Sequence, residues 1–228
     1  MSLRTRFYNI LGKLEGNKLH RNSGETDITT GYGIYRAAHP NEDVFQVIDE
    51  AASSIGITSP SSEWSKEEIN KVNELLLGSF SERYMAATDV FYNKYFNKVS
   101  GLLSKLPGEL EYAYKLIYLN SNKLANKAVQ MTANTIISRL NKKGNYGSLL
   151  TVDGIIGSNS IKAMSILDQA VTTENELTKY TLMTIFLIHC KGLYVDLGTD
   201  EIKETGTDKH LKFLRGWDNR VDLILEEL

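Results

Sequence analysis

Apolar residues recur at helical spacing along almost the whole chain, and this period constrains the fold more than any other feature. Leu3, Phe7, Ile10, Leu11 and Leu14 form one stripe, which predicts an amphipathic first helix. The same spacing predicts helices over 41–55, 109–120, 124–140, 158–170, 173–194 and 209–228, and one long helix or two joined ones over 62–99. Ser65-Lys66-Glu67-Glu68 reads as a capping box leading into Ile69, Val72, Leu75 and Leu76. In the last helix Leu214, Trp217, Val221, Ile224 and Leu228 make the core stripe. Only the polar stretch 16–33, rich in Gly, Ser, Thr and Asn, breaks the pattern and reads as a loop or a small hairpin. The expected fold class is all-α, with a small β-hairpin near residues 17–34 as its one exception.

Composition narrows the function classes. The chain has 228 residues, 42% hydrophobic and 24% charged, which is globular and long enough for a substantial core. Its net charge of −2 argues against a protein that grips nucleic acid backbone. Cys190 is the single cysteine, so no intramolecular disulfide is expected, and its apolar helical surroundings predict a buried structural thiol. The first fourteen residues lack the continuous apolar stretch of a signal peptide, and the apolar run 182–188 is too short to span a bilayer. Synthesis in the cytoplasm without membrane insertion is the expectation.

No cofactor or metal is expected. The histidines, His20, His39, His189 and His210, contain no pair at i, i+4. Gly31-Tyr32-Gly33 lacks the third glycine of a dinucleotide fingerprint, and Gly154 to Gly157 lacks the Lys-Ser/Thr of a phosphate loop. Both read as turns.

Glu15 is the residue that points to chemistry. It stands four residues after Leu11, at the edge of the apolar face and at the end of the first helix. Partial burial and the helix dipole both push a carboxyl pKa upward there, as a general acid near neutral pH requires. Gly16 follows, then a polar loop carrying Glu25, Asp27, Thr29 and Thr30, then Gly31-Tyr32-Gly33-Ile34. A helix-end glutamate facing a polar hairpin is one way to set an acid and a water-positioning group on either side of a sugar. A solvated surface charge is the plainer reading of the same residue.

Leu14-Glu15-Gly16 followed by Thr30-Gly31-Tyr32-Gly33-Ile34 resembles the opening of the glycoside hydrolase 108 family, the N-acetylmuramidases of phage endolysins and secretion-associated murein hydrolases. The aromatic run Phe91 to Phe96, Leu106-Pro107 and Asn120-Ser121 are similar to the middle of that family. Val152-Asp153-Gly154-Ile155-Ile156-Gly157 resembles a turn of its associated peptidoglycan-binding region, and Gly216-Trp217-Asp218-Asn219-Arg220-Val221 its closing signature. This chain departs from the pattern in carrying Asn17 where the family has a second glycine. Its loop from His20 to Asp27 also replaces the usual elements.

The resemblance implies a lysozyme-like, two-lobed helical architecture, with a catalytic lobe over 1–105 and a peptidoglycan-binding-like lobe over 106–228. It implies cleavage of the β-1,4 bond between N-acetylmuramic acid and N-acetylglucosamine. Glu15 would be the general acid, Thr30 would lie near the attacking water, and Asp27 or Glu25 would supply a second carboxylate. Tyr32, Asn120, Trp217 and Arg220 are the expected substrate-binding residues, although Trp217 also falls on a core stripe. The 152–157 turn would touch glycan or stem peptide, or else pack Val152, Ile155 and Ile156 inward, which their apolar character favours. Arg4, Arg6, Lys13, Lys18 and Arg21 put five cations against one acid in residues 1–24, a basic patch attractive to an anionic wall. The expected partners are bacterial peptidoglycan and other phage tail or lysis proteins. The enzyme would reach the wall through a holin lesion or be carried in the virion. A silent wall-binding or tail structural protein and a lytic transglycosylase are the alternatives.

Overall fold

The computed structural model describes residues 2–173, 178–205 and 211–226. Within these, the side chains of residues 3, 172–173, 198–205, 211–215 and 217 are not described. The fold is all-α. Its helices are α1 (Leu3–Glu15), α2 (Asp43–Ser54), α3 (Lys66–Leu77), α4 (Ser81–Phe96), the single turn α5 (Ser100–Leu103), α6 (Gly108–Asn120), α7 (Asn122–Leu140), α8 (Ser158–Thr173), α9 (Lys179–Thr205) and α10 (Leu211–Glu226). The hairpin expected near 17–34 is reduced to two isolated antiparallel bridges, His20 with Thr29 and Thr29 with Tyr35. No helix among the described residues is long and apolar enough to cross a membrane.

The chain divides into two compact units, and the division differs from the lobes expected at 105/106. One unit is Tyr8–Lys98, and the other joins Met1–Phe7 to Val99–Leu228. The first boundary therefore falls inside α1.

In the unit Tyr8–Lys98, α2 packs on α3 and α4 through Val44, Phe45, Ile48, Ala51 and Ala52, all buried. The segment 62–99 forms two main helices rather than one. The Ser65 hydroxyl accepts from Glu68 N–H at 3.2 Å while the Glu68 carboxylate accepts from Ser65 N–H at 2.7 Å, so the expected capping box starts α3. At Gly78 the chain leaves α3, and Phe80 N–H reaches back to the Leu75 carbonyl at 2.9 Å before α4 begins.

In the other unit, α9 packs against α6, α7 and α10, and α7 also packs on α6 and α8. Leu182, Met183, Phe186, Leu187, Cys190 and Tyr194 are its buried positions. α9 starts six residues later than the spacing predicts and runs on to Thr205, past Tyr194, the last of its buried positions among the described side chains. Cys190 is buried and unpaired, and burial pushes its thiol well above the ordinary value, so it is an inert packing group. Val221 and Ile224 of α10 are buried as the stripe requires. Leu228 of that stripe, His210 and the side chains of Leu214 and Trp217 lie outside what is described.

Candidate active site

At the end of α1 the chain reverses through two consecutive left-handed residues, Gly16 at φ 99° and Asn17 at φ 55°. That conformation costs most L-residues about 1–2 kcal/mol, and asparagine is among those that tolerate it. Gly16 N–H donates to the Gly12 carbonyl at 2.9 Å and closes the last turn beneath Glu15. The reversal carries Leu19 into the core. There Asn73 of α3 serves both of its backbone groups: Leu19 N–H donates to Asn73 Oδ1 at 2.7 Å, and Asn73 Nδ2 donates to the Leu19 carbonyl at 3.0 Å.

The turn 30–34 is clamped from several sides. Thr30 N–H donates to the Ile34 carbonyl at 2.9 Å, and the Thr30 hydroxyl accepts from Ile34 N–H at 2.9 Å and Tyr32 N–H at 3.3 Å. From α4, Tyr84 accepts the Gly31 N–H at 3.2 Å, and Tyr92 donates its hydroxyl proton to the Tyr32 carbonyl. Gly31 has no room for a side chain, because a Cβ would stand 2.4 Å from backbone atoms of Asn17 and Lys18. Gly33, at φ 82°, would put a Cβ 3.1 Å from the Glu15 carboxyl group. The half-buried Glu15 thus rests against the backbone of this turn.

Tyr32, in the same turn, is held by aromatic neighbours. Its ring meets Tyr8 edge-on at 5.6 Å between centroids and Tyr84 at 5.9 Å, and burial raises its phenol pKa, so the hydroxyl stays a neutral donor. Tyr8, which sequence reading passed over, donates to Asp89 Oδ1 at 2.5 Å. An oriented aromatic ring suits a sugar, which offers an apolar face beside its rim of hydroxyls.

The other expected catalytic groups are committed elsewhere. Thr30 is fully buried with its hydroxyl spent on the turn, so it shapes the site rather than facing solvent. Glu25 accepts from Asn22 N–H at 2.8 Å, from Asn22 Nδ2 at 3.0 Å and from the Thr29 hydroxyl at 3.3 Å. Burial opposes ionisation of Glu25, but these hydrogen bonds and nearby His20 outweigh it and bring its pKa below the ordinary value. Asp27 Oδ1 accepts from Ile28 N–H at 2.7 Å and from the Ser61 hydroxyl at 2.6 Å. It lines a cleft of about 290 Å³ together with Arg36 and Asp49, which pair bidentately at 2.6 Å. Arg21 leaves the expected basic patch, because its guanidinium donates to the Ser61 and Trp64 carbonyls.

Of the expected C-terminal binding residues, two meet around Tyr194, a residue absent from the sequence reading. Asn120 Nδ2 donates to the Tyr194 hydroxyl at 3.1 Å. The Tyr194 phenol is pushed up to about 12, chiefly by burial, with the Arg220 charge acting against the rise. Arg220 also donates to the Leu116 carbonyl at 3.4 Å, in the last turn of α6, where a cation complements the helix dipole. The side chain of Trp217 lies outside the described residues.

Of the three residues expected to pack inward in 152–157, Ile156 is half-buried and the other two are exposed. Val152 is 37% and Ile155 71% exposed. The turn is built instead by Gln130, whose buried amide accepts from Gly154 N–H at 2.9 Å and donates to Asp153 Oδ1 and the Ile155 carbonyl at 3.0 Å. Hydrogen bonding, not apolar burial, fixes it. Among the described residues no group of three or more His, Cys, Asp or Glu side chains is placed to hold a metal ion. No protein-family model, curated protein or solved structure gives a significant match to the chain.

Proposed function

We propose that the chain is a peptidoglycan hydrolase of the muramidase type, with Glu15 as its general acid. The observation that carries this reading is the seating of the Glu15 carboxyl group against Gly33, in a turn fixed by Thr30, Tyr84 and Tyr92. Such a mounting holds the acid within a narrow range of positions, and orientation of this kind supplies much of a glycosidase's advantage. Asn17 supports the resemblance to glycoside hydrolase 108 enzymes, since it keeps the left-handed conformation that a glycine would adopt there. In the reaction Glu15 gives its proton to the glycosidic oxygen as the bond to C1 of the muramic acid breaks. Water then adds its oxygen to C1, its released proton restoring the Glu15 carboxylic acid, and Tyr32 lines the cleft. The setting is a phage endolysin or a tail-associated lysozyme, working with other lysis or tail proteins on the bacterial wall.

A lytic transglycosylase is the second reading, favoured by the commitment of Glu25 and Asp27 to the loop's own hydrogen bonds. That reaction uses one glutamate, which first protonates the leaving oxygen and then takes the proton of the muramic acid's own C6 hydroxyl as it attacks C1. Clearing of purified sacculi by wild type and by Glu15→Gln tests both readings. The substitution should cost roughly 10²–10⁴-fold in rate. Reducing muramic ends in the soluble products identify the muramidase, and 1,6-anhydro ends the transglycosylase. Intact sacculi after wild-type treatment overturn both.

A further inference from the structure

Between α7 and α8 the chain is tied down by side-chain amides. Asn126, Gln130 and Asn134 stand at i, i+4 and i+8 on α7, and Asn141 follows its last turn. Asn126 donates to the Gly154 carbonyl at 2.9 Å, and Asn141 brackets Tyr146 N–H and the Gly147 carbonyl at 2.8 and 2.9 Å. Asn134 takes both backbone groups of one residue, accepting Leu150 N–H at 2.7 Å and donating to its carbonyl at 2.9 Å. An amide meets both groups of a single residue only where that residue is extended, as in a hydrogen-bonded pair of an antiparallel ladder. Extended chain alternates its hydrogen-bonding direction, so Leu149 and Thr151 turn their N–H and C=O groups away from α7. Neither residue makes a backbone–backbone hydrogen bond among the described residues.

A cleft of about 650 Å³ is lined by residues 147–151 of this segment together with Ile137 of α7 and Ala163 and Ile166 of α8. That volume lies in the range of small-ligand sites. Leu149 at 56% and Ile155 at 71% leave apolar surface in its wall. It carries one charge of each sign, Asp153 and Lys162. Asp153 Oδ1 is fixed by Gln130 Nε2 at 3.0 Å and by Ile155 N–H at 2.8 Å. Those bonds hold its carboxyl below the usual carboxylate range.

We propose that this cleft binds a short peptide in extended form, added as a strand along Leu149–Thr151, with its ammonium group at Asp153 and its carboxylate at Lys162. The unmatched backbone edge selects a peptide over a glycan, because alternating N–H and C=O groups complement another backbone and not a ring of hydroxyls. The apolar wall takes an aliphatic side chain, and the two charges match a zwitterion. This site lies in the unit Val99–Leu228 and stands independently of the role of Glu15.

Amide-resolved NMR titration of the full chain tests it, using the tripeptide Ala-Leu-Ala, its N-acetyl, C-amide form, a set N-methylated at each position in turn, and a peptide-free GlcNAc–MurNAc disaccharide. The free tripeptide should shift the Leu149 and Thr151 amides with millimolar or tighter affinity. Capping both ends and N-methylation at one position should each weaken binding about tenfold, and Asp153→Asn or Lys162→Met about three- to fivefold, with the Tm of Lys162→Met unchanged. A free murein stem tetrapeptide, whose residues alternate in chirality, separates a wall-derived peptide from a short all-L peptide released from protein. No tripeptide binding, equal binding by every N-methylated form, or shifts at 149–151 caused by the disaccharide instead would overturn the proposal.

Discussion

The carboxyl group of Glu15 lies against the α-carbon of Gly33, close enough that a methyl group on that carbon would stand 3.1 Å from Glu15 Cγ, Cδ and Oε2. Helix end and turn are therefore fitted to each other through a glycine, and the position of the proposed acid depends on a residue eighteen places along the chain.

Gly33→Ala should separate stability from activity. The added Cβ strains a left-handed backbone by roughly 1–2 kcal/mol, which lowers Tm by several degrees. It also displaces the Glu15 carboxylate by a few tenths of an ångström, and clearing of sacculi should fall about 10- to 100-fold. Thermal unfolding and turbidity assays on the same preparation measure the two effects.

Gly31→Ala should be worse for folding. Its Cβ meets backbone atoms of Asn17 and Lys18 at 2.4 Å, and backbone cannot swing aside as a side chain does. We expect a loss of about 3 kcal/mol or more in urea denaturation. A loss below about 1 kcal/mol would show that the helix-end reversal does not pack on this turn.

Asn73→Ala strands the buried N–H and C=O of Leu19 without partners. At about 1–3 kcal/mol for each of the two groups, the expected destabilisation is about 2–6 kcal/mol. Asn134→Ala, at a half-buried position that water reaches, should cost less, about 1–2 kcal/mol. Chemical denaturation of the two variants side by side gives the comparison.

Glu25 predicts a pH dependence. Its folded pKa lies below the ordinary 4.5, so its hydrogen bonds to Asn22 and Thr29 contribute stability above that value, and the contribution is lost as pH falls through the folded pKa. Glu25→Gln should be less stable than wild type at pH 6 to 7. The difference should shrink below pH 4.5, as followed by denaturant midpoints across that window.

Much of the helical framework was legible because its cause is local. The stripe of α1, the Ser65 capping box and the core face of α7 each follow from spacing within a few turns. Of the candidate site, the helix-end position of Glu15 and the turn at 30–34 can be read from the sequence. The resemblance puts Thr30 near the attacking water, yet its hydroxyl accepts Ile34 N–H, four residues on, inside the turn. Asn73 and Gln130 sit among apolar residues and look like surface positions. Their partners are 54 and 24 residues away in sequence, so no local pattern announces them. Val152 and Ile155 were expected inside on hydrophobicity alone, and amide hydrogen bonds outweighed it.

Two helix-borne asparagines, Asn73 and Asn134, each act as a one-residue strand, for Leu19 and Leu150. In a sheet, slipping the register by one position turns every side chain over. A point anchor has no register to slip. Between His20 and Thr29, or between Asn141 and Gly147, the chain can gain or lose residues so long as the anchored residues still arrive extended. Length variation among descendants of this sequence should therefore collect between these pins, and the surface loops can be remodelled over evolutionary time without disturbing the helices beneath them.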